Sequence, residues 1–193
     1  MPTTQDWRAR KRDETHHRIY ETAMQLFRER GFDHVSVGQI ATAAGVSVPT
    51  FYAHFPSKEH IVMQIPSQVE IDTVFHGVPA DLPLAERVRR GILAWLAHYD
   101  EPERAELLDR WRIVVASPVL RNRAAEFERA TAGLVLDAIR QEAADDGPPV
   151  THDVVVTASM SAYTQIILQW AEDDGRRSME EVAETVLAAL RQL

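Results

Sequence analysis

Ser36-Val37-Gly38-Gln39-Ile40-Ala41-Thr42-Ala43-Ala44-Gly45-Val46-Ser47-Val48-Pro49-Thr50-Phe51-Tyr52-Ala53-His54-Phe55-Pro56-Ser57-Lys58 reads as two short helices joined by a tight turn. Ser36 is placed to cap the first helix, and Gln39 three residues on completes a capping box. Ile40, Ala41 and Ala44 then share one face at helical spacing. Gly45 ends the helix, because a residue in the left-handed conformation costs glycine little. Val46 plugs the corner and Ser47 caps the second helix, in which Phe51 and Phe55, four apart, face inward. Ser47, Val48, Pro49, Thr50, Tyr52 and His54 are left for the outer and forward faces. Pro49 falls in the first turn, where no amide is needed. Pro56 closes the motif. An alanine, a glycine four residues later and a bulky apolar residue beyond it have the spacing of a helix-turn-helix.

Outward from this stretch, an earlier helix is predicted from about Asp13 to Arg30, with Ile19, Ala23, Leu26 and Phe27 inward. Gly31 terminates it and Phe32 folds back onto Phe27. Residues 1–12 lack periodicity and end in Arg8, Arg10, Lys11 and Arg12, either a solvated tail or an arm that follows a phosphate backbone. His16 and His17 are adjacent, so they do not face one way on a helix and are read as exposed polar side chains.

A fourth helix is predicted from Ser57 through Ile61, Met63 and Ile65, until Pro66 kinks or breaks it, as a hinge or a passive bend. Residues 76–83 form a loop. Five further helices follow. The first carries Leu84, Val88, Ile92, Leu96 and Tyr99, with Trp95 beside the stripe. The next starts at Asp100 and carries Leu107, Trp111 and Val115. A long one opens at Ser117-Pro118 and includes Phe127. After a break at residues 145–149, Thr151 caps a helix containing Tyr163, Ile167 and Trp170, and a Ser178–Glu181 capping box opens the last. The expectation is an all-α chain of nine helices with no strand.

Composition bounds the function. The 193 residues carry a net charge of −8, but residues 1–60 hold eight basic and seven acidic side chains, so the deficit lies in the remainder. An acidic body behind a neutral-to-basic head fits local DNA contact rather than general polyanion binding. The zero cysteines exclude a disulfide framework or thiolate site. No apolar run reaches the roughly 18 residues of a membrane span, and the N-terminus lacks the apolar core of a signal peptide, so a cytoplasmic protein is expected. There is no Gly-rich phosphate loop, nucleophile elbow or metal-ligand spacing; no enzyme, cofactor or metal is expected.

Ile40 to Ser47 and Thr50 to Lys58, together with Ala23-Met24-Gln25-Leu26-Phe27-Arg28-Glu29-Arg30-Gly31-Phe32, resemble TetR-type (tetracycline repressor-like, AcrR-type) transcriptional regulators over about the first third of the chain. The resemblance implies a three-helix DNA-binding head over 1–58, with its basic arm, and a ligand-binding and dimerisation body over 59–193. It puts Ser47, Val48, Pro49 and Thr50 toward base edges, and Tyr52, His54 and Lys58 toward the DNA backbone. Ser36, Arg10 and Arg12 are further phosphate candidates. Packing remains the competing reading for Tyr52 and His54, and a solvated charge for Lys58.

The resemblance further implies a homodimer through the last two helices, two heads about one DNA turn apart reading an inverted repeat, and a helix four that links head to body. In the body, Trp95, Tyr99, Trp111, Arg112, Val115, Phe127, Tyr163, Ile167 and Trp170 are candidates to line a small-molecule effector cavity, with ordinary core the alternative for each. The segment 111–121 resembles the sub-family thought to sense acyl-CoA-like ligands, which would set Arg112, Arg121 and Arg123 against phosphates. The implied function is a repressor released from its operator by an apolar or acyl-CoA-like effector. A helical small-molecule-binding protein with a vestigial head is the alternative.

Overall fold

The computed structural model describes residues 4–142 and 148–192. Among these, the chain forms ten α-helices, one 3-10 turn and no strand. Helix α1 spans Thr4–Arg30 and leads through the 3-10 turn Phe32–His34 into α2 (Val37–Ala43) and α3 (Val48–His54). Then come α4 (Glu59–Val62), α5 (Gln68–His76), α6 (Leu84–His98), α7 (Glu101–Ala116), α8 (Pro118–Glu142), α9 (Pro149–Glu172) and α10 (Met179–Leu190).

The caps explain most of these boundaries. Ser36 and Gln39 form the expected capping box, as do Ser178 and Glu181. Gly45 adopts φ 65°, its amide bonding Thr42 O while Val46 N reaches Ala41 O, the paired bonds of a Schellman ending. Phe32 packs on Phe27 with ring centroids 4.9 Å apart.

Three boundaries differ from expectation. Helix α1 begins at Thr4 rather than Asp13, so Arg10 and Arg12 stand on a helix and not on an extended arm. Helix formation needs no apolar stripe where residues of fair propensity run on without glycine or proline, and Lys11 Nζ lies 5.0 Å from the Trp7 ring one turn back. The predicted fourth helix ends at Val62, and residues 63–66 are not helical; Ser67 and Glu70 then form a capping box that opens α5, which accounts for the tenth helix. Helix α9 starts at Pro149, not at Thr151, because a first-turn proline needs no amide partner. Of the predicted break, residues 145–147 lie outside the described residues.

Two apolar clusters hold the helices together. The first joins Ile19, Met24, Phe27, Ile40, Phe51, Phe55 and Ile61, and it also takes Ile113 and Val114 of α7 and Leu120 and Ala124 of α8. The second packs α9 against α6, α7, α8 and α10, with Val88, Leu96, Ile139, Val156, Ile166 and Ile167 among its buried members. Head and body also meet through polar bonds. Tyr20 donates to Glu106 (2.8 Å), Arg28 pairs with Asp109 (3.2 Å), and Ser117 Oγ donates to Asp33 (2.9 Å).

Candidate nucleic-acid interface and ligand cavity

Helix α3 has a buried and an outward face. Phe51 and Phe55 are buried, whereas Val48 and Tyr52, four residues apart, are 41% and 53% exposed. Pro49 is exposed and Thr50 half-buried beside them. Ser47 Oγ accepts from the Thr50 amide at 3.1 Å and shares a 2.7 Å hydrogen bond with Thr50 Oγ1. That bond uses one hydroxyl hydrogen of the two, so the pair keeps one to donate outward.

The flanks of this face are basic or polar. Arg8, Arg10, Lys11 and Arg12 are exposed on the first turns of α1, and the Arg12 charge is felt by both His16 and His54. The His16 ring stacks on Phe55 (4.2 Å) and lies 5.8 Å from His54. His16 is therefore a packing residue as well as a surface one, a contact that the sequence reading missed. His54 is half-buried and its Nδ1 is buried without a partner. Burial lowers the pKa of both rings, with His54 adding to the effect on His16 and Arg12 to that on His54. Arg18 Nε donates to Ala44 O (3.0 Å), tying α1 to the end of α2.

On the other flank, Ser36, Tyr52 and Lys58 border one shallow depression. Lys58 is largely committed to the fold. Its ammonium donates to Phe32 O and Val35 O, both at 2.9 Å, and sits 4.1 Å from the Phe32 ring centroid. One of its three N–H groups is left. Ser36 Oγ is likewise occupied by the Gln39 amide (3.2 Å).

A cavity of about 650 Å³ lies in the body between α5, α6, α7, α8 and α9. Its walls include Phe75, Ile92, Trp111, Phe127, Val135 and Met160, and the non-helical segment 63–66 closes one side. Trp95 Nε1 donates to the Tyr99 hydroxyl at 2.8 Å. Burial pushes the pKa of both Tyr99 and Tyr163 above the usual phenol value, so the two hydroxyls stay neutral. Arg110, a residue that the sequence reading passed over, also faces this cavity.

The family model for bacterial regulatory proteins of the tetR family matches residues 19–65, which hold α2, α3 and α4 but not the basic first turns of α1. The chain is also 30% identical over 113 residues to the transcriptional regulator MftR of Mycobacterium tuberculosis, covering 58% of this chain and 57% of that protein.

Over residues 19–65 the chain is similar to the tetR family of bacterial regulatory proteins.

A second relative, the transcriptional regulator EthR of Mycolicibacterium smegmatis, is 36% identical over 80 residues, 38% of this chain and 36% of EthR. The chain thus matches less than two thirds of the length of these curated relatives. Among solved structures, NalD, the secondary repressor of the MexAB-OprM multidrug efflux pump in Pseudomonas aeruginosa, superposes with a TM-score of 0.58 at 22% identity. That match covers 93% of this chain and 96% of NalD, and it concerns the fold alone.

The structure sorts the residues singled out in the body. Trp95, Tyr99, Trp111, Phe127 and Tyr163 line the cavity together. Arg112, Val115, Ile167 and Trp170 do not. Arg112 points to the surface and pairs with Asp174 at 2.6 Å, because a shift of two residues along α7 from Arg110 turns the side chain to the opposite side. Val115 lies past the cavity, its carbonyl held by Arg121. Ile167 and Trp170 are spent in the α9 core. Arg121 and Arg123, expected at phosphates, instead pair with Glu172 and with Glu59 and Glu126. Among the described residues no helix is long and apolar enough to cross a membrane.

Proposed function

We propose that this protein is a DNA-binding transcriptional regulator of the TetR type, not an enzyme, that acts as a homodimer and releases its operator when a small molecule enters the body cavity. The observation that carries the reading is the outward face of α3: Val48 and Tyr52 exposed, a free hydroxyl donor at the Ser47–Thr50 pair, and basic first turns of α1 alongside. In this reading residues 1–58 recognise DNA, and 59–193 sense the ligand and dimerise. Val48 and Pro49 offer apolar contact to a thymine methyl, while Ser47 and Thr50 hydrogen-bond base edges or phosphates. Tyr52, Arg10, Arg12 and His54 meet the DNA backbone, with Ser36 and the remaining Lys58 N–H at the margin of that contact. The exposed Val150 and Val154, one turn apart on α9, fit a dimer face on the last two helices.

The cavity supplies a route for coupling. Its wall includes segment 63–66, which joins the short α4 under the head to α5. It also includes Arg110 and Trp111 of α7, the helix whose Glu106 and Asp109 are bonded to α1. A ligand that fits only one arrangement of these helices shifts the heads; one with equal affinity for both arrangements shifts nothing. An apolar or amphipathic effector suits the walls. An acyl-CoA-like one would need phosphate partners, and Arg112, Arg121 and Arg123 stand outside the cavity in ion pairs.

The test is fluorescence anisotropy of the protein on DNA from its own upstream region and on DNA selected from a random library, across a salt series, with scrambled DNA alongside. Selective binding that weakens with salt is the expected result. Absence of any selected sequence would leave the alternative, a ligand-binding protein with a vestigial head.

A further inference from the structure

We propose that the cavity's ligand is a monoanionic amphiphile, an apolar body ending in a carboxylate, and that Arg110 binds the carboxylate. This rests on the reading of the cavity as an effector site and names the chemical class of that effector.

Arg110 is only 8% exposed, it faces the cavity, and its Nε is buried without a hydrogen-bond partner. A guanidinium keeps its proton in proteins, so burial leaves the charge in place. A buried guanidinium without a partner is costly, and native proteins keep such charges where something pairs with them. Nearby carboxylates are engaged elsewhere. Glu106 accepts from Tyr20 (2.8 Å), Asp109 pairs with Arg28, Glu103 accepts from the Asp100 amide (2.9 Å) and Glu128 accepts from Ser161. Among the described residues none of these forms an ion pair with Arg110.

The surroundings specify the rest of the ligand. Tyr99 and Tyr163 feel the Arg110 charge, which puts two neutral phenols within electrostatic reach of the same anion. The two hydroxyls bond each other, which uses one of their two hydrogens and leaves one to donate to a carboxylate oxygen beside the guanidinium fork. The remaining wall, including Phe75, Ile92, Phe127 and Met160, suits hydrocarbon. The volume of about 650 Å³ falls within the range of small-molecule sites. Arg110 is the cavity's sole arginine or lysine among the described residues. One cation pairs one anion, and the lining carboxylates already accept hydrogen bonds elsewhere, Glu70 from Ser67, Glu103 from Asp100 and Glu128 from Ser161. A pyrophosphate or a multiply charged head would meet more repulsion than attraction there.

The experiment titrates the protein with decanoate, 1-decanol and decylammonium, three probes sharing one hydrocarbon tail, following intrinsic tryptophan fluorescence, to which Trp95 and Trp111 of the cavity wall contribute. Wild type should bind decanoate about tenfold or more tightly than decanol, and decylammonium least. Arg110→Gln should narrow the decanoate-to-decanol ratio to within about twofold, and Arg110→Lys, which keeps the charge but not the fork, should retain part of it. The ligand-free melting temperature of Arg110→Gln should not fall, since the variant removes a desolvated charge. Equal binding of decanoate and decanol by wild type, or a preference that survives Arg110→Gln, would overturn the proposal while leaving a ligand cavity in place. If none of the three probes binds wild type, the effector-site reading itself falls, and this proposal with it.

Discussion

Replacing Lys58 by methionine separates two roles that the same residue could play in the head. The ammonium donates to Phe32 O and Val35 O at 2.9 Å each and lies over the Phe32 ring, stitching the α3–α4 corner to the turn that leads into α2. Hydrogen bonds to charged groups contribute roughly 1.5–3 kcal/mol apiece. Here the lower end applies, because Lys58 is only partly buried and borders an open depression. Methionine keeps most of the stem's packing, so losing the two bonds should cost about 3 kcal/mol. In urea, with a slope of about 1–3 kcal/mol per molar, that lowers the midpoint by about 1–3 M. Far-UV circular dichroism across a urea series measures it. Anisotropy across a salt series measures the other role, since losing one phosphate contact reduces the slope of log K against log salt by about 0.9. Stability unchanged within about 0.5 kcal/mol, together with a slope reduced by about 0.9, would refute the structural argument and make Lys58 a phosphate ligand first.

The remaining predictions concern the head's surface, its histidines and the α5–α6 contact. Arg12→Ala should weaken binding to all DNA and reduce the salt slope, whereas Tyr52→Phe should weaken it without changing the slope, because a phenol releases no counterion; a slope change for Tyr52→Phe in the same anisotropy series would contradict this. Burial lowers the pKa of His16 and His54 below 6.5 in the folded head. The unfolded chain therefore takes up protons first as pH falls through 6.5, and stability should decline from there downward while staying flat above it as far as these rings are concerned. His54→Gln should flatten that decline in thermal melts between pH 7 and 5, and an unaltered profile would count against the assignment. A methyl group added at Gly91 would meet Phe75 Cζ at 2.6 Å and Cε1 at 2.9 Å, so Gly91→Ala should cost about 1–3 kcal/mol in urea unfolding unless the buried Phe75 ring can move aside.

What could be read without coordinates was local. Ser36 with Gln39, Gly45, Ser47 and the Ser178–Glu181 pair act over three or four residues, so their spacing alone announces helix ends, and the structure has each of them in its cap. The inward turn of Phe51 and Phe55 follows from the helical period in the same way. The start of α1 was hidden because its first turns bury no apolar stripe, the feature by which periodicity recognises a helix. Pro66 marked the interruption before α5, but its extent is set by Ser67, whose capping box opens the new helix.

The cavity belongs to the other category. Trp111 and Trp170 are alike as residues on amphipathic helices, yet one lines the cavity and the other fills the α9 core. Arg110 and Arg112 differ by one intervening residue, and one is buried facing the cavity while the other pairs with Asp174 at the surface. Lys58 was legible as a basic residue at the end of a motif; that it holds two carbonyls more than 20 positions back was not. Caps, turns and helical faces depend on neighbours a turn away, so the chain itself determines them. Which face meets a cavity, which a core and which a distant partner depends on how ten helices pack, and only the tertiary structure decides that.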